Sequence, residues 1–112
     1  LLDLMVVKRD GRREPYSREK LERGLRKALE KRQYTELDFQ KLVHSIERDI
    51  QKKKRDELRS LEIGEIVMHR LRGFDKVAYI RFASVYRAFE DVKTFQQELD
   101  KLLGRGKKRK KK

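Results

Sequence analysis

The stretch Val6-Val7-Lys8-Arg9-Asp10-Gly11-Arg12-Arg13-Glu14-Pro15-Tyr16 decides how this chain begins to fold. Val6 and Val7 read as a strand, and Asp10-Gly11 is the strongest short-range hairpin signal a sequence carries. A two-residue type I′ turn there needs positive φ at both central residues, which Asp tolerates and Gly adopts freely. That turn sets a register in which Arg9 faces Arg12, Lys8 faces Arg13, Val7 faces Glu14 and Met5 faces Tyr16. Two successive cross-strand pairs are then like-charged, which weakens a hairpin, so an anion is expected among the four cations.

Outward from the hairpin, the chain alternates helix starts with apolar stripes. Ser17 is an N-cap ahead of Leu21, Leu25, Ala28 and Leu29, which share one helical face. Gly24 inside that helix costs about 1 kcal/mol against Ala, so close packing or approach of a ligand is expected there. Thr35 with Asp38 three residues later opens a second helix striped by Phe39, Leu42, Val43, Ile46 and Ile50, with His44 off the stripe and exposed. A charged connection over Lys52 to Glu57 leads to Ser60, read as the cap of a third helix that buries Ile63, Ile66, Val67 and Leu71 and ends at Gly73. Asp75 caps a fourth helix running to Phe89 or Glu90, apolar almost all round and therefore central. Val92, Phe95, Leu99 and Leu102 then recur at heptad-like spacing, a seam suited either to contact between subunits or to packing on the chain's own bundle. The expected fold class is mainly α: an N-terminal β-hairpin, a four-helix bundle and an extending C-terminal helix.

Composition narrows the chemistry. With 112 residues the chain makes one domain with a modest core. It contains no Cys and two His, so neither a disulfide framework nor a thiolate metal site is available within it. No apolar run approaches a membrane span, and the expectation is a cytoplasmic protein without a membrane partner. The net charge of +13 is uneven, because residues 104–112 hold seven cations and no acid, leaving +6 for the rest. Such a block reads as a disordered, solvated tail able to hold nucleic acid weakly through phosphates. The phosphate-cradling, zinc-protease and nucleophile motifs are absent, and the acids lie scattered among cations. The chain therefore reads as a binding module and not an enzyme, with no catalytic residues.

The pattern Val6-x-Lys8-Arg9-Asp10-Gly11-x-x-Glu14-x-Tyr16, followed by a helix with Lys20 in its first turn, resembles the ATP-cone. The segment VAYIRFASVYRAFED, residues 77–91, is similar to the form of that module found in NrdR-type transcriptional repressors. The resemblance spans residues 4–103. It implies a regulatory domain that senses ATP and dATP as allosteric ligands and controls repression of ribonucleotide reductase genes through nucleotide-dependent oligomerisation. Carried over position by position, it implies nucleotide contacts at Val7, Lys8, Arg9, Glu14, Lys20, Ser60, Tyr86 and Arg87. Lys8, Arg9 and Lys20 would meet phosphates, with the helix N-terminus adding N–H donors. Val7 and Glu14 would border the adenine or sugar, although Glu14 also reads as an intrahairpin partner of Arg12 or Arg13. Val92, Phe95, Leu99 and Leu102 are the candidate contact of a homo-oligomer.

Family members carry an N-terminal zinc ribbon that binds DNA, whereas this sequence begins at Leu1. The resemblance therefore implies a missing N-terminal segment, with zinc and operator DNA as partners only through that ribbon. Two other readings stay open: an ATP-cone regulating a ribonucleotide reductase, and a small basic nucleic-acid-binding protein acting through its tail.

Overall fold

A computed structural model describes residues 2–87 and 92–104. Strand β1 (Met5–Val7) and strand β2 (Arg13–Pro15) form the hairpin. Helices α1 (Arg18–Ala28) and α2 (Glu36–Gln51) follow, then strand β3 (Glu57–Arg59) and helices α3 (Ser60–Phe74), α4 (Lys76–Tyr86) and α5 (Val92–Leu103). The mainly helical class and the five helices agree with the sequence reading. The expected end of the fourth helix at Phe89 or Glu90 and the basic tail from residue 105 lie outside the described residues.

The hairpin register is one residue from the expected one. Met5 pairs with Pro15, Val6 with Glu14 and Val7 with Arg13. The Lys8 N–H donates to the Arg12 carbonyl at 2.7 Å, and the Gly11 N–H donates to the Lys8 carbonyl at 2.9 Å. The connection is thus a three-residue loop of Arg9, Asp10 and Gly11, with Gly11 at φ +89° and no positive φ at Asp10. A single left-handed Gly closing a turn this way is the usual three-residue solution. Asp10 favours it, since its carboxylate accepts from the Arg12 N–H at 3.0 Å and from Arg12 Nε at 2.7 Å. The register change moves side chains between faces.

Strand β3 is an addition that the sequence reading missed. It pairs parallel to β1, Met5 with Glu57, Val6 with Leu58 and Val7 with Arg59, giving the sheet order β2-β1-β3. Residues 57–59 offer one apolar side chain, Leu58, which the pairing buries almost completely. So short a segment carries no alternation to read, and its pairing depends on α1 and α2 returning the chain to β1. Ser60 is consequently the first helical residue of α3 and not its cap. Arg59 occupies the cap position, and its N–H donates to Glu62 Oε1 at 3.0 Å. The other caps follow the sequence: Ser17 accepts from the Lys20 N–H, Thr35 from Asp38 and Asp75 from Ala78.

The core is built from Leu25, Ala28 and Leu29 of the α1 segment, the α2 stripe Phe39, Leu42, Val43, Ile46 and Ile50, and Leu58. Val67, Met68 and Leu71 of α3, Ala78, Tyr79 and Ala83 of α4, Leu102 of α5, and Leu4 ahead of β1 complete it. Helix α3 ends at Phe74 and not Gly73, and its Ile63 and Ile66 are only half-buried. Helix α4 is less enclosed than its composition suggests, because Val77 is 40% and Val85 83% exposed. Its small residues Ala78 and Ala83 sit at the helix contacts instead. Along α5, Val92 is 81% exposed, Phe95 and Leu99 are half-buried, and Leu102 joins the core. The C-terminal end of that seam therefore packs on its own bundle.

Candidate functional site

Between the hairpin, the start of α1 and the α3–α4 pair lies a cavity of about 250 Å³. Each wall follows from local sequence. Strand alternation turns Val6 and Lys8 of the first strand segment inward and Val7 away. Glu14, Pro15 and Tyr16 line the β2 side, followed by the cap residue Ser17 and by Lys20, Leu21 and Gly24 of α1. The opposite wall is Ser60, Ile63, Gly64 and Val67 of α3 with Phe82 and Tyr86 of α4. The interior is apolar, while two ammonium groups, a carboxylate and the N-terminus of α1 stand at its rim. Such a combination of apolar walls with a few convergent polar groups is typical of small-ligand sites.

A neighbouring concavity of about 420 Å³ is lined by Lys8, Arg9, Asp10, Arg12, Ser60, Val85 and Tyr86. Lys8, Ser60 and Tyr86 are common to both. Five of the eight residues implied by the resemblance (Lys8, Glu14, Lys20, Ser60 and Tyr86) thus line the first cavity, and Arg9 lines the second. Val7 and Arg87 line neither. Val7 belongs to the other face of its strand. Arg87 Nη1 donates to Glu98 Oε1 at 2.8 Å and its Nη2 to Glu65 at 3.3 Å, tying α4 to α3 and α5.

The four hairpin cations do not form an uncompensated cluster. Arg12 is held by Asp10, and Arg13 Nη2 lies 2.7 Å from Glu57 on β3. Arg9 Nη2 donates to the Tyr86 carbonyl at 2.8 Å, with its guanidinium 5.8 Å from the Tyr86 ring centroid. Glu14 pairs with neither Arg12 nor Arg13. It accepts from Lys20 Nζ at 3.2 Å and lies 3.6 Å from Lys8 Nζ. The Lys20 hydrogen bond, with Lys8 beside it, holds the Glu14 carboxyl below the usual carboxylate range. Glu14 is therefore a carboxylate at neutral pH and draws the two lysines together at the cavity mouth.

Tyr86 closes the inner wall. Its ring stacks on Phe82 with centroids 5.7 Å apart, and its hydroxyl donates to the Ser60 carbonyl at 2.5 Å. The ring lies directly over Gly64, where an added Cβ would come within 1.9 Å of Tyr86 Cζ. Burial pushes the Tyr86 phenol up. Gly24 answers to a different need: a Cβ there would meet nothing within 4 Å, so packing does not require the glycine. Its missing side chain leaves room in the cavity that it lines. Gly24 within a predicted helix was the one sequence signal here, whereas Gly64 was not singled out and Ile63, Val67 and Phe82 looked like ordinary core.

Behind the site, Glu47 of α2 fastens the start of α1. Tyr16 Oη donates to Glu47 Oε2 at 2.7 Å, and Arg18 Nε donates to both carboxylate oxygens at 3.1 Å. Burial first, and then the Glu47 contact, raises the Tyr16 phenol. Burial alone would raise the Glu47 carboxyl, yet Arg18 and Tyr16 outweigh it and hold the group low. A similar buried carboxylate, Glu98, accepts from the Tyr79 hydroxyl and from Arg87. Burial and Glu98 push the Tyr79 phenol up to about 12.

Among the described residues, no group of three or more His, Cys, Asp or Glu is placed to hold a metal ion, and no helix is long and apolar enough to cross a membrane. The family model for the ATP cone domain matches residues 4–92. The chain is 48% identical over 103 residues to a transcriptional repressor NrdR of Carboxydothermus hydrogenoformans, covering 92% of this chain and 67% of that protein. It is 50% identical over 100 residues to the repressor of that name in Pelotomaculum thermopropionicum, covering 89% and 60% respectively. For the Chloroflexus aurantiacus protein of the same name the identity is 49% over 104 residues, covering 93% and 63%. The chain thus spans about two thirds or less of the length of these relatives. All three are named as repressors, not enzymes.

Proposed function

The chain belongs to the ATP cone domain family, in the branch of the NrdR repressors, and from that premise we propose that it is the adenine-nucleotide sensor of a transcriptional repressor. The observation that carries this reading is the convergence of Lys8, Lys20 and the α1 N-terminus on the mouth of an apolar cavity. A base and sugar enter between Leu21, Gly24, Ile63 and Phe82, and the phosphates lie outward over the two lysines. Arg9 and the neighbouring concavity extend the cationic rim. Glu14, ionised between Lys8 and Lys20, orients both ammonium groups and accepts a hydrogen bond from a sugar hydroxyl or the adenine amine. Several cations held on rigid elements are what a triphosphate requires.

Regulation is by population shift. ATP and dATP favour different oligomers only as far as those oligomers differ in affinity for them. Tyr86 supplies the structural link, since its ring lines the site and Arg87, next in sequence, grips Glu98 of α5. The exposed part of the α5 seam, at Val92, is the proposed subunit contact. The regulated genes in this reading are those of ribonucleotide reductase, with operator contact made by a segment outside this sequence.

Isothermal calorimetry with ATP and dATP is the test. Micromolar or tighter binding is expected, lost in Lys8→Ala/Lys20→Ala. Absence of heat with either nucleotide on folded protein refutes the reading.

A further inference from the structure

Glu47 does not line the proposed nucleotide cavity, yet it is 8% exposed and its carboxylate reaches the segment from which the cavity mouth is built. Tyr16 Oη donates to it at 2.7 Å, Arg18 Nε donates at 3.1 Å, and Arg18 Nη2 adds a further hydrogen bond. Tyr16 and Arg18 flank Ser17, whose hydroxyl caps α1 by accepting from the Lys20 N–H at 3.2 Å. The Tyr16 N–H donates to the Leu4 carbonyl at 2.8 Å, so this corner is also tied to the sheet. One carboxylate on α2 thus holds the residues on both sides of the point where β2 gives way to α1. Glu14, two residues before Tyr16, and Lys20, two after Arg18, project from that corner, with 3.2 Å between Glu14 Oε1 and Lys20 Nζ.

We infer that Glu47 is a positioning residue for the phosphate end of that site: it touches no ligand, and it acts through Tyr16 and Arg18. The inference rests on the reading of the cavity as an adenine-nucleotide site. Two observations carry it. A carboxylate buried this far is a poor source of stability, because desolvation cancels much of the attraction and apolar side chains of similar volume commonly serve as well. What a fully satisfied buried network supplies is direction, since its donors are held in one arrangement. The second observation is what that arrangement aims. The first N–H groups of a helix have no intrahelical partner and, with the helix dipole, favour an anion. Glu47 fixes the start of α1, and with it those N–H groups and the Lys20 ammonium one turn on. Binding groups set by a loose support lose affinity when displaced by about 1 Å, so the grip of α2 on this corner is transmitted to the phosphates. The apolar walls at Leu21, Gly24, Ile63 and Phe82 do not depend on it.

The experiment is calorimetric titration of the full chain with AMP and with ATP, for the wild type, Glu47→Gln, Arg18→Gln and the double variant, below the melting temperature of each. Glu47→Gln is expected to weaken ATP about tenfold and AMP by less than about threefold, because the adenosine end keeps its apolar walls. Arg18→Gln, at a partly exposed side chain, breaks the same link and gives the same pattern even where Glu47→Gln does not fold. The double variant is expected to be no weaker than the weaker single one, as for two groups acting through one contact. Asp49→Asn is the control: it removes a carboxylate of the same helix that pairs with Arg70 at 2.7 and 2.9 Å, away from α1, and should leave both affinities unchanged. Unchanged ATP affinity in the folded variants, equal losses for AMP and ATP, or an equal loss in Asp49→Asn overturns the inference and leaves the nucleotide site standing. Absence of binding by the wild type refutes the site itself and the role of Glu47 with it.

Discussion

Gly64→Ala tests the wall of the proposed nucleotide cavity most directly. A Cβ at this position would lie 1.9 Å from Tyr86 Cζ, 2.2 Å from Cε1 and 2.3 Å from the hydroxyl oxygen, so the ring must leave. Leaving breaks the hydroxyl bond to the Ser60 carbonyl, worth about 1 kcal/mol, and the stack on Phe82, worth about 0.5–1.5 kcal/mol. The contact with Arg9 contributes about 0.5–1 kcal/mol more. Against these, Ala in place of Gly in a helix interior gains about 1 kcal/mol. The net expectation is destabilisation by about 1–2.5 kcal/mol, or roughly 4–15 °C in Tm for a domain of this size. Calorimetric melting of four proteins, wild type, Gly64→Ala, Tyr86→Ala and the double variant, isolates the cause. With the ring removed the added methyl meets no clash, so Gly64→Ala should become neutral or stabilising in the Tyr86→Ala background. Destabilisation of equal size in both backgrounds would refute the close approach and, with it, the description of Tyr86 as the inner wall.

Gly24→Ala should act in the opposite sense: about 1 kcal/mol more stable by thermal melting, because nothing lies within 4 Å of the new methyl, yet weaker in nucleotide affinity by calorimetry because the methyl enters the cavity. Glu47 supplies a pH dependence, since its carboxyl is held below its ordinary value of 4.5 in the fold. Its contribution is complete above that value and is lost as pH falls through the lowered one, so Glu47→Gln should lower stability by about 2 kcal/mol at neutral pH and flatten the acid limb of the stability curve. An acid limb unchanged in the variant would exclude Glu47 as its source. Val92→Asp and Leu99→Asp should shift light-scattering mass toward monomer while calorimetric nucleotide affinity persists. Unchanged mass in folded variants would remove α5 as the subunit contact.

Much of this molecule was legible in its residues because the responsible interactions are local. The α2 stripe Phe39, Leu42, Val43, Ile46 and Ile50 repeats with the helical period, and all five side chains are buried. Ser17, Thr35 and Asp75 announce helix starts through side chains that bond their own backbone a few residues on. The family, too, was legible in the hairpin pattern and in residues 77–91. Tertiary structure alone decided what depends on partners distant in sequence. The hairpin register follows from Asp10 bonding Arg12 and from β1 being paired on both sides, so the Asp-Gly signal marked a turn without selecting its length. Strand β3 exists because two helices return three residues to the edge of β1, which no local pattern records. The partner of Glu14 was decided the same way. Arg12 and Arg13 are nearer in sequence, but Asp10 and Glu57 take them, leaving Glu14 to Lys8 and Lys20. Ser60 and Tyr86, twenty-six residues apart, form one wall of the cavity because α3 and α4 pack with Gly64 beneath the ring. Periodicity identifies which face of a helix is buried, but which faces meet is decided by the shapes and charges that fit when the elements come together.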